Sequence, residues 1–262
     1  MAIDLNKEQL RLIGQNIEKN GIDECILKEA KNVYNTSYAQ ALRFDSSRSP
    51  CTHVLPQTIA YIMTLFENSF SQMKFLDLGC GMGEGVTSYT PVLSIAMKNL
   101  GAEVYAIDFF PDRKNKFKDL GIHYSSCDLN KWLLREMRFQ ELKGREEEFF
   151  SNNDFVAARS FLNGGLAQSF TSCYGNVSAS YGFPDEYDFY KKIISKVARS
   201  NEKSAVYELD AHIHKRHIDW CYSDFGLLPL EERKTLMKKD FGDSVCGPIR
   251  NHYDHAFVFI DK

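Results

Sequence analysis

The sequence predicts an α/β fold in which a doubly wound, mostly parallel sheet follows a helical amino-terminal segment. Apolar residues recur at helical spacing through residues 1–70, and short apolar strands then alternate with helical segments from Lys74 onward. This alternation indicates parallel βαβ units, which bind ligands at the carboxyl ends of their strands. A run of closely spaced glycines follows the first strand and marks that end of the sheet.

Three helices are predicted before the sheet. Asn6 and Gln9 fit a capping box at the start of the first helix, and Gly21 is a natural stop for it. Asp23 can cap the second helix, and Pro56 opens the third. Each of these helices carries one apolar face, which core packing and oligomer contacts explain equally well.

Six segments have the composition of strands. They are residues 75–78, 103–108, 123–126, 154–158, 205–209 and 255–260. We expect residues 1–53 to form a helical cap and residues 54–262 to form the sheet domain. Within that domain, residues 131–150 and 163–188 are predicted to be inserted helical or loop segments, the first rich in mixed charge and the second rich in aromatic residues.

Composition and charge exclude several classes of protein. The chain has 262 residues, a net charge of −3 and seven cysteines, none of which forms a C-x-x-C pair. This cysteine usage favours reduced thiols over disulfides or a zinc site. The sequence contains no signal-peptide core and no run of about 20 apolar residues. We therefore expect a cytoplasmic protein with no membrane partner, for which nucleic acid is an unfavourable partner.

The segment Phe75–Gly85 reads Phe-Leu-Asp-Leu-Gly-Cys-Gly-Met-Gly-Glu-Gly. Glycines at this density let the backbone turn sharply and approach a ligand closely. The dinucleotide fingerprint G-x-G-x-x-G/A fits the segment in no register. The pattern Asp77-x-Gly79-x-Gly81-x-Gly83 instead resembles motif I of the class I S-adenosylmethionine (SAM) dependent methyltransferases. A glycine-rich turn of another α/β protein is the alternative.

The resemblance implies a Rossmann-like class I methyltransferase fold with a seven-stranded sheet. It also implies SAM as the cofactor and S-adenosylhomocysteine (SAH) as its product. In that family the glycine loop passes under the methionine part of the cofactor. The residues that the resemblance assigns there are Asp77, Gly79, Cys80, Gly81 and Gly83.

Two later positions match the same family. Asp108 closes the second strand, where the family carries an acidic residue that bonds both ribose hydroxyls of SAM, and Phe109 follows it. Asp128 comes after the third strand and matches the acidic residue that meets the adenine amino group, with Cys127 and Leu129 on either side. Either aspartate can instead serve only as a helix cap.

The end of the fourth strand faces the sulfonium in this family. Here it reads Ala-Ala-Arg-Ser, and the resemblance assigns Arg159 and Ser160 to the cofactor site. The preceding alanines are small and leave room for the cofactor. A sulfonium repels a guanidinium, so we expect Arg159 to turn toward a carboxylate or the substrate.

The sequence says less about the methyl acceptor than about the cofactor. Methyl transfer from SAM is an in-line displacement at an activated methyl group, so the protein mainly aligns the reactants and excludes water. His212 and Tyr181 are the candidates for removing an acceptor proton. The residues that we assign to acceptor binding are Tyr34, Tyr38, Arg43, Tyr174 and His214. Solvated histidines and aromatic residues that only pack are the alternatives, and we assign no metal ligand.

The resemblance implies a methyltransferase, and we expect its acceptor to be an oxygen or nitrogen nucleophile of a small molecule. The sequence lacks the tetrapeptide of adenine N6 enzymes, the Pro-Cys pair of cytosine C5 enzymes and the double-Glu loop of arginine enzymes. Two alternatives stay open. One is a methyltransferase that acts on RNA or protein, and the other is a SAM-binding regulatory or partner protein without activity.

Overall fold

The structure is a computed structural model. It describes residues 6–43, 56–67, 69–80, 91–108, 115–127, 144–158, 186–210, 214–215, 226–247, 249 and 255–262. None of the helices in these ranges is both long and apolar enough to cross a membrane.

Three helices precede the first strand, and helices and strands then alternate as far as the fifth strand. The helices are α1 (Lys7–Asn20), α2 (Glu24–Leu42), α3 (Pro56–Phe66), α4 (Val92–Asn99), α5 (Lys116–Asp119), α6 (Glu146–Phe150), α7 (Glu186–Ser200) and α8 (Leu230–Phe241). The strands are β1 (Lys74–Leu78), β2 (Glu103–Asp108), β3 (His123–Ser126), β4 (Phe155–Ala158), β5 (Ala205–Asp210), β6 (His214–Lys215), β7 (Gly226–Leu227) and β8 (His255–Ile260). The predicted boundary between residues 53 and 54 lies outside the described residues, as does most of both predicted insertions.

Six of the strands form one sheet in the order β3-β2-β1-β4-β5-β8. Strands β1 to β5 run parallel, and β8 runs antiparallel to β5. The predicted α/β class and mostly parallel sheet are confirmed. Within the described ranges this sheet has six strands, one fewer than the seven expected. Val245 pairs with Val258 as an isolated bridge. Because β5 occupies one edge of β8, this bridge lies on the outer edge of the sheet.

Helices cover both faces of the sheet. Side chains alternate between the faces along each strand, so Phe75, Phe155 and Val206 share one face while Leu76 and Val156 share the other. We name the first the cap face, because α1 to α5 contribute to its buried core. The other is the rear face, and α6 to α8 contribute to its core. This is the doubly wound arrangement that the sequence predicts.

The caps of the first two helices lie at the predicted residues, Asn6 and Asp23. The Asn6 side-chain oxygen accepts from the backbone N–H groups of Glu8 and Gln9 at 3.0 and 3.1 Å. Asp23 accepts in the same way from Cys25 N–H at 2.8 Å at the start of α2. Each contact satisfies a backbone donor that has no partner within the helix, and such a cap is worth about 1 kcal/mol.

Helix α1 packs directly on the backbone next to the outer edge of β8. A Cβ atom added at Gly14 would lie 1.9 Å from the carbonyl oxygen of Cys246 and 2.6 Å from its carbonyl carbon. The Cys246 N–H donates to the Phe257 carbonyl of β8 at 2.8 Å, so this backbone is held in place. The cap therefore reaches the sheet at a point that only glycine fits.

A buried aspartate ties three strands together at the amino-terminal edge of the sheet. Asp154 is fully buried, and its Oδ2 accepts from the Lys74 N–H at 2.8 Å. The Lys203 ammonium lies 2.6 Å from its Oδ1. Burial raises the pKa of Asp154, and the contacts with Lys203 and Lys74 oppose that rise. The Asp154 carbonyl also accepts from Val206 N–H, so β1, β4 and β5 share one anchor.

We expect Gly14→Ala to lower the free energy of unfolding by about 1–3 kcal/mol, the usual cost of forcing extra atoms into a packed site. Alanine favours a helix over glycine by about 1 kcal/mol, and the clash with Cys246 outweighs that gain. Urea unfolding followed by circular dichroism measures the change. Gln15→Ala, at the exposed neighbouring position, is the control and is expected to stay within about 0.5 kcal/mol. A Gly14→Ala protein as stable as the unchanged chain would contradict this packing.

Candidate functional site

The glycine turn lies at the carboxyl end of the central strand β1. Gly79 follows β1 directly and has a φ of +75°, a conformation that glycine adopts without the steric cost of a side chain. The N–H groups of Gly79 and Cys80 both donate to the Ile107 carbonyl of β2, at 2.8 and 3.2 Å. The turn is thus held against β2 from its first residue.

Asp108 ends the neighbouring strand at the same edge. Its carboxylate belongs to a half-buried residue, whereas the preceding four residues of β2 are fully buried. Its backbone carbonyl accepts from the Cys127 N–H at 2.7 Å, which fixes the end of β3 beside it. The predicted positions Asp77, Asp108 and Cys127 therefore lie at or next to three adjacent strand ends, in the order β1, β2, β3.

Asp77 differs from Asp108 because it is buried. Only 3% of Asp77 is exposed, and its Oδ2 accepts a hydrogen bond from the Ser94 hydroxyl at 2.6 Å. Ser94 lies in the first turn of α4 and is itself fully buried. The flanking partners of Asp77 in β2 and β4 are Ala106 and Ala157, whose small side chains leave space for the carboxylate on the cap face.

The order in which the chain adds strands to the sheet reverses between β1 and β4. From β1 the chain moves outward through β2 to β3, whereas β4 lies on the other side of β1 and is followed outward by β5. Connections that diverge in this way leave a crevice at the carboxyl ends of the two central strands, and ligands of doubly wound folds bind there. Gly79 follows β1 at this position and Ala158 ends β4 beside it, where Ala158 has only a methyl side chain.

Glu208 is a buried carboxylate that the sequence interpretation missed. It is fully buried in β5, and its register partner in β4 is Ala157, the same residue that pairs with Asp77. Asp77 and Glu208 therefore share the cap face two strands apart, with roughly 10 Å between their Cα atoms at the usual strand spacing. A charged residue inside the apolar segment Ala205–Leu209 was the available signal.

Several predicted site residues lie outside the described residues. They are Gly81, Gly83, Phe109, Asp128, Leu129, Arg159, Ser160, Tyr174, Tyr181 and His212. His214 is described only as the first residue of β6, where it pairs with Leu227 of β7. In the part of the chain that the structure describes, no three His, Cys, Asp or Glu side chains come together as a metal site.

The predicted acceptor residues of α2 lie along its carboxyl-terminal half. The rings of Tyr34 and Tyr38 are 5.8 Å apart, and Tyr34 packs against the core of the cap face. Ser37, next to Tyr38, accepts from the Asn99 side-chain amide at 3.0 Å. Asn99 ends α4, so this part of α2 lies at the opposite end of α4 from Ser94. Arg43 is the exposed residue that caps the carboxyl end of α2. Their role in acceptor binding stays a prediction.

Comparison with known proteins adds little to this picture. No protein-family model matches the chain, and no curated protein matches its sequence. Among solved structures the chain is similar to MycE. That protein is a methyltransferase from the mycinamycin biosynthetic pathway, solved in complex with Mg and SAH. The TM-score is 0.44 and the identity is 11%, over 85% of this chain and 52% of MycE. The chain thus spans about half the length of MycE.

We expect Gly79→Ala to lower the free energy of unfolding by about 1–2 kcal/mol, because an L residue at this positive φ is strained by that amount. Gly121→Ala is the matched control, since Gly121 has a φ of +67° and a Cβ atom there meets only the flexible end of Lys98. Both variants should lose a similar amount in urea unfolding. An unchanged stability for Gly79→Ala alone would contradict the left-handed turn.

Proposed function

We propose that the protein is a SAM-dependent methyltransferase, with the cofactor in the crevice beside β1. The observation that carries the proposal is the joint position of Asp77, Gly79, Asp108 and Cys127 at adjacent strand ends. The motif resemblance assigns these same residues, in this order, to one cofactor. A ligand that extends across three strand ends needs contacts at each of them, and the described residues supply one at each end.

The chemistry of these residues fits the parts of SAM. Gly79 turns without a side chain, so the methionine part can approach the backbone closely. Asp108 is half-buried, and its two carboxylate oxygens can accept from two vicinal ribose hydroxyls. In the proposal Asp128 and its neighbours Cys127 and Leu129 receive the adenine. When bound, SAM supplies a methyl group activated by the positive charge on sulfur.

The proposed reaction asks the protein to orient an acceptor and to exclude water. We propose a small-molecule acceptor with an oxygen or nitrogen nucleophile, and His212 or Tyr181 as the group that removes its proton. The small side chains of Ala157 and Ala158 at the end of β4 support a crevice open enough for two reactants. The charge of −3 gives no support to a nucleic-acid acceptor.

We expect Asp108→Asn to weaken SAH binding at least ten-fold, because hydrogen bonds to a charged group contribute about 1.5–3 kcal/mol. The contact with Cys127 uses the backbone carbonyl of Asp108, so the substitution leaves that contact in place. Titration calorimetry with SAH measures the change. Glu103→Gln is the matched control, since Glu103 is the exposed carboxylate at the other end of the same strand. Equal SAH affinity in both variants would contradict the ribose assignment.

Release of SAH from SAM separates an enzyme from a protein that only binds the cofactor. We expect SAH to form when a pool of small hydroxyl or amine compounds is added, and a His212→Ala variant should form it more slowly with an altered pH dependence. Turnover with an RNA or protein pool only would replace the small-molecule acceptor. Tight SAM binding without turnover in any pool would contradict the enzymatic proposal.

A further inference from the structure

The Ser94 hydroxyl is the one polar group among the buried side chains of α4. The other buried residues of this helix are Val92, Leu93, Ile95, Ala96 and Met97. Serine is a weaker helix former than alanine, and a buried hydroxyl without a partner costs free energy. Ser94 is therefore explained by its partner, the Asp77 carboxylate at 2.6 Å. Such a short contact is typical of a hydroxyl that donates to a charged oxygen.

This bond links the carboxyl end of β1 to the first turn of α4. Asp77 lies two residues before Gly79, and Ser94 is the third residue of α4. On its other side the start of the turn is fixed by the Ile107 carbonyl, which accepts from Gly79 and Cys80. The turn is thus attached to β2 through its backbone and to α4 through Asp77.

A hydroxyl that donates to a carboxylate differs from a cation because it brings no charge of its own. Ser94 donates to the carboxylate and is itself uncharged, so this bond adds no positive charge beside Asp77. Asp77 is 3% exposed, and a charge in so dry a place acts more strongly on nearby groups than it would in water. The methionine part of SAM carries an ammonium group, for which such a charge is favourable.

We propose that Ser94 is a positioning residue for the cofactor, which holds Asp77, and with it Gly79 and Cys80, in the position that binds the methionine part of SAM. The inference rests on the proposed function and adds to it a residue outside motif I. Ser94 acts through Asp77 and does not itself have to touch the cofactor.

The test measures SAH affinity by titration calorimetry in the full chain, with SAH itself as the probe. We expect Ser94→Ala to weaken SAH binding about ten-fold or more. Ser37→Ala is the matched control, because Ser37 is also fully buried and its hydroxyl donates to the Val33 carbonyl at 2.7 Å. We expect it to lose stability in urea unfolding while it binds SAH within about two-fold of the unchanged chain.

A double-mutant cycle decides whether Ser94 acts through Asp77. In an Asp77→Asn protein, Ser94→Ala should cause little further loss of SAH affinity. Additive losses would overturn the inference, as would a Ser94→Ala protein that binds SAH as tightly as the unchanged chain. If Ser94→Ala does not fold, Ser94→Cys keeps the volume with a weaker donor, and its SAH affinity decides in the same way. Absence of SAH binding in the unchanged chain would instead contradict the proposed function.

Discussion

The parallel pairing of β1 with β2 on one side and β4 on the other is the constraint on which the site depends. It places Gly79, the first residue after β1, at the point where the chain connections diverge, which is where doubly wound folds bind ligands. The register matters as much as the order. Asp77 is opposite Ala106 and Ala157, and because both are small, a carboxylate and the Ser94 hydroxyl fit on the cap face between them.

Two buried aspartates, one at the amino-terminal end and one at the carboxyl end of the parallel strands, are stabilised by different kinds of partner. At the amino-terminal edge Asp154 is 2.6 Å from the Lys203 ammonium, and the pair neutralises itself within the fold. At the carboxyl edge Asp77 has the neutral Ser94 hydroxyl as a partner. Both arrangements offset the cost of burying a carboxylate, the first with a cation and the second with a neutral hydroxyl.

Local patterns in the sequence predicted most of the elements, whereas contacts between distant segments were out of reach. The bounds of β2, β3 and β8 match the predicted ones. The caps at Asn6 and Asp23 could be predicted because a cap depends on only a few neighbouring residues. Motif spacing led to Asp77, Gly79 and Asp108. Ser94 and Glu208 belong to no motif, and their positions depend on strand order and register, which spacing along the chain does not determine.

Helix α4 contacts the cap at one end and the residue that precedes Gly79 by two positions at the other. At its start Ser94 holds Asp77, and at its end Asn99 donates to Ser37 and Gln40 of α2. Its eight residues are about 12 Å long, and a helix of this length behaves as a rigid spacer. The contacts of α2 near Asn99 therefore fix where α4 ends, whereas Ser94 fixes how the turn begins. A substitution of Ser37 therefore removes a contact between α2 and α4, whereas a substitution of Ser94 removes the contact between α4 and Asp77.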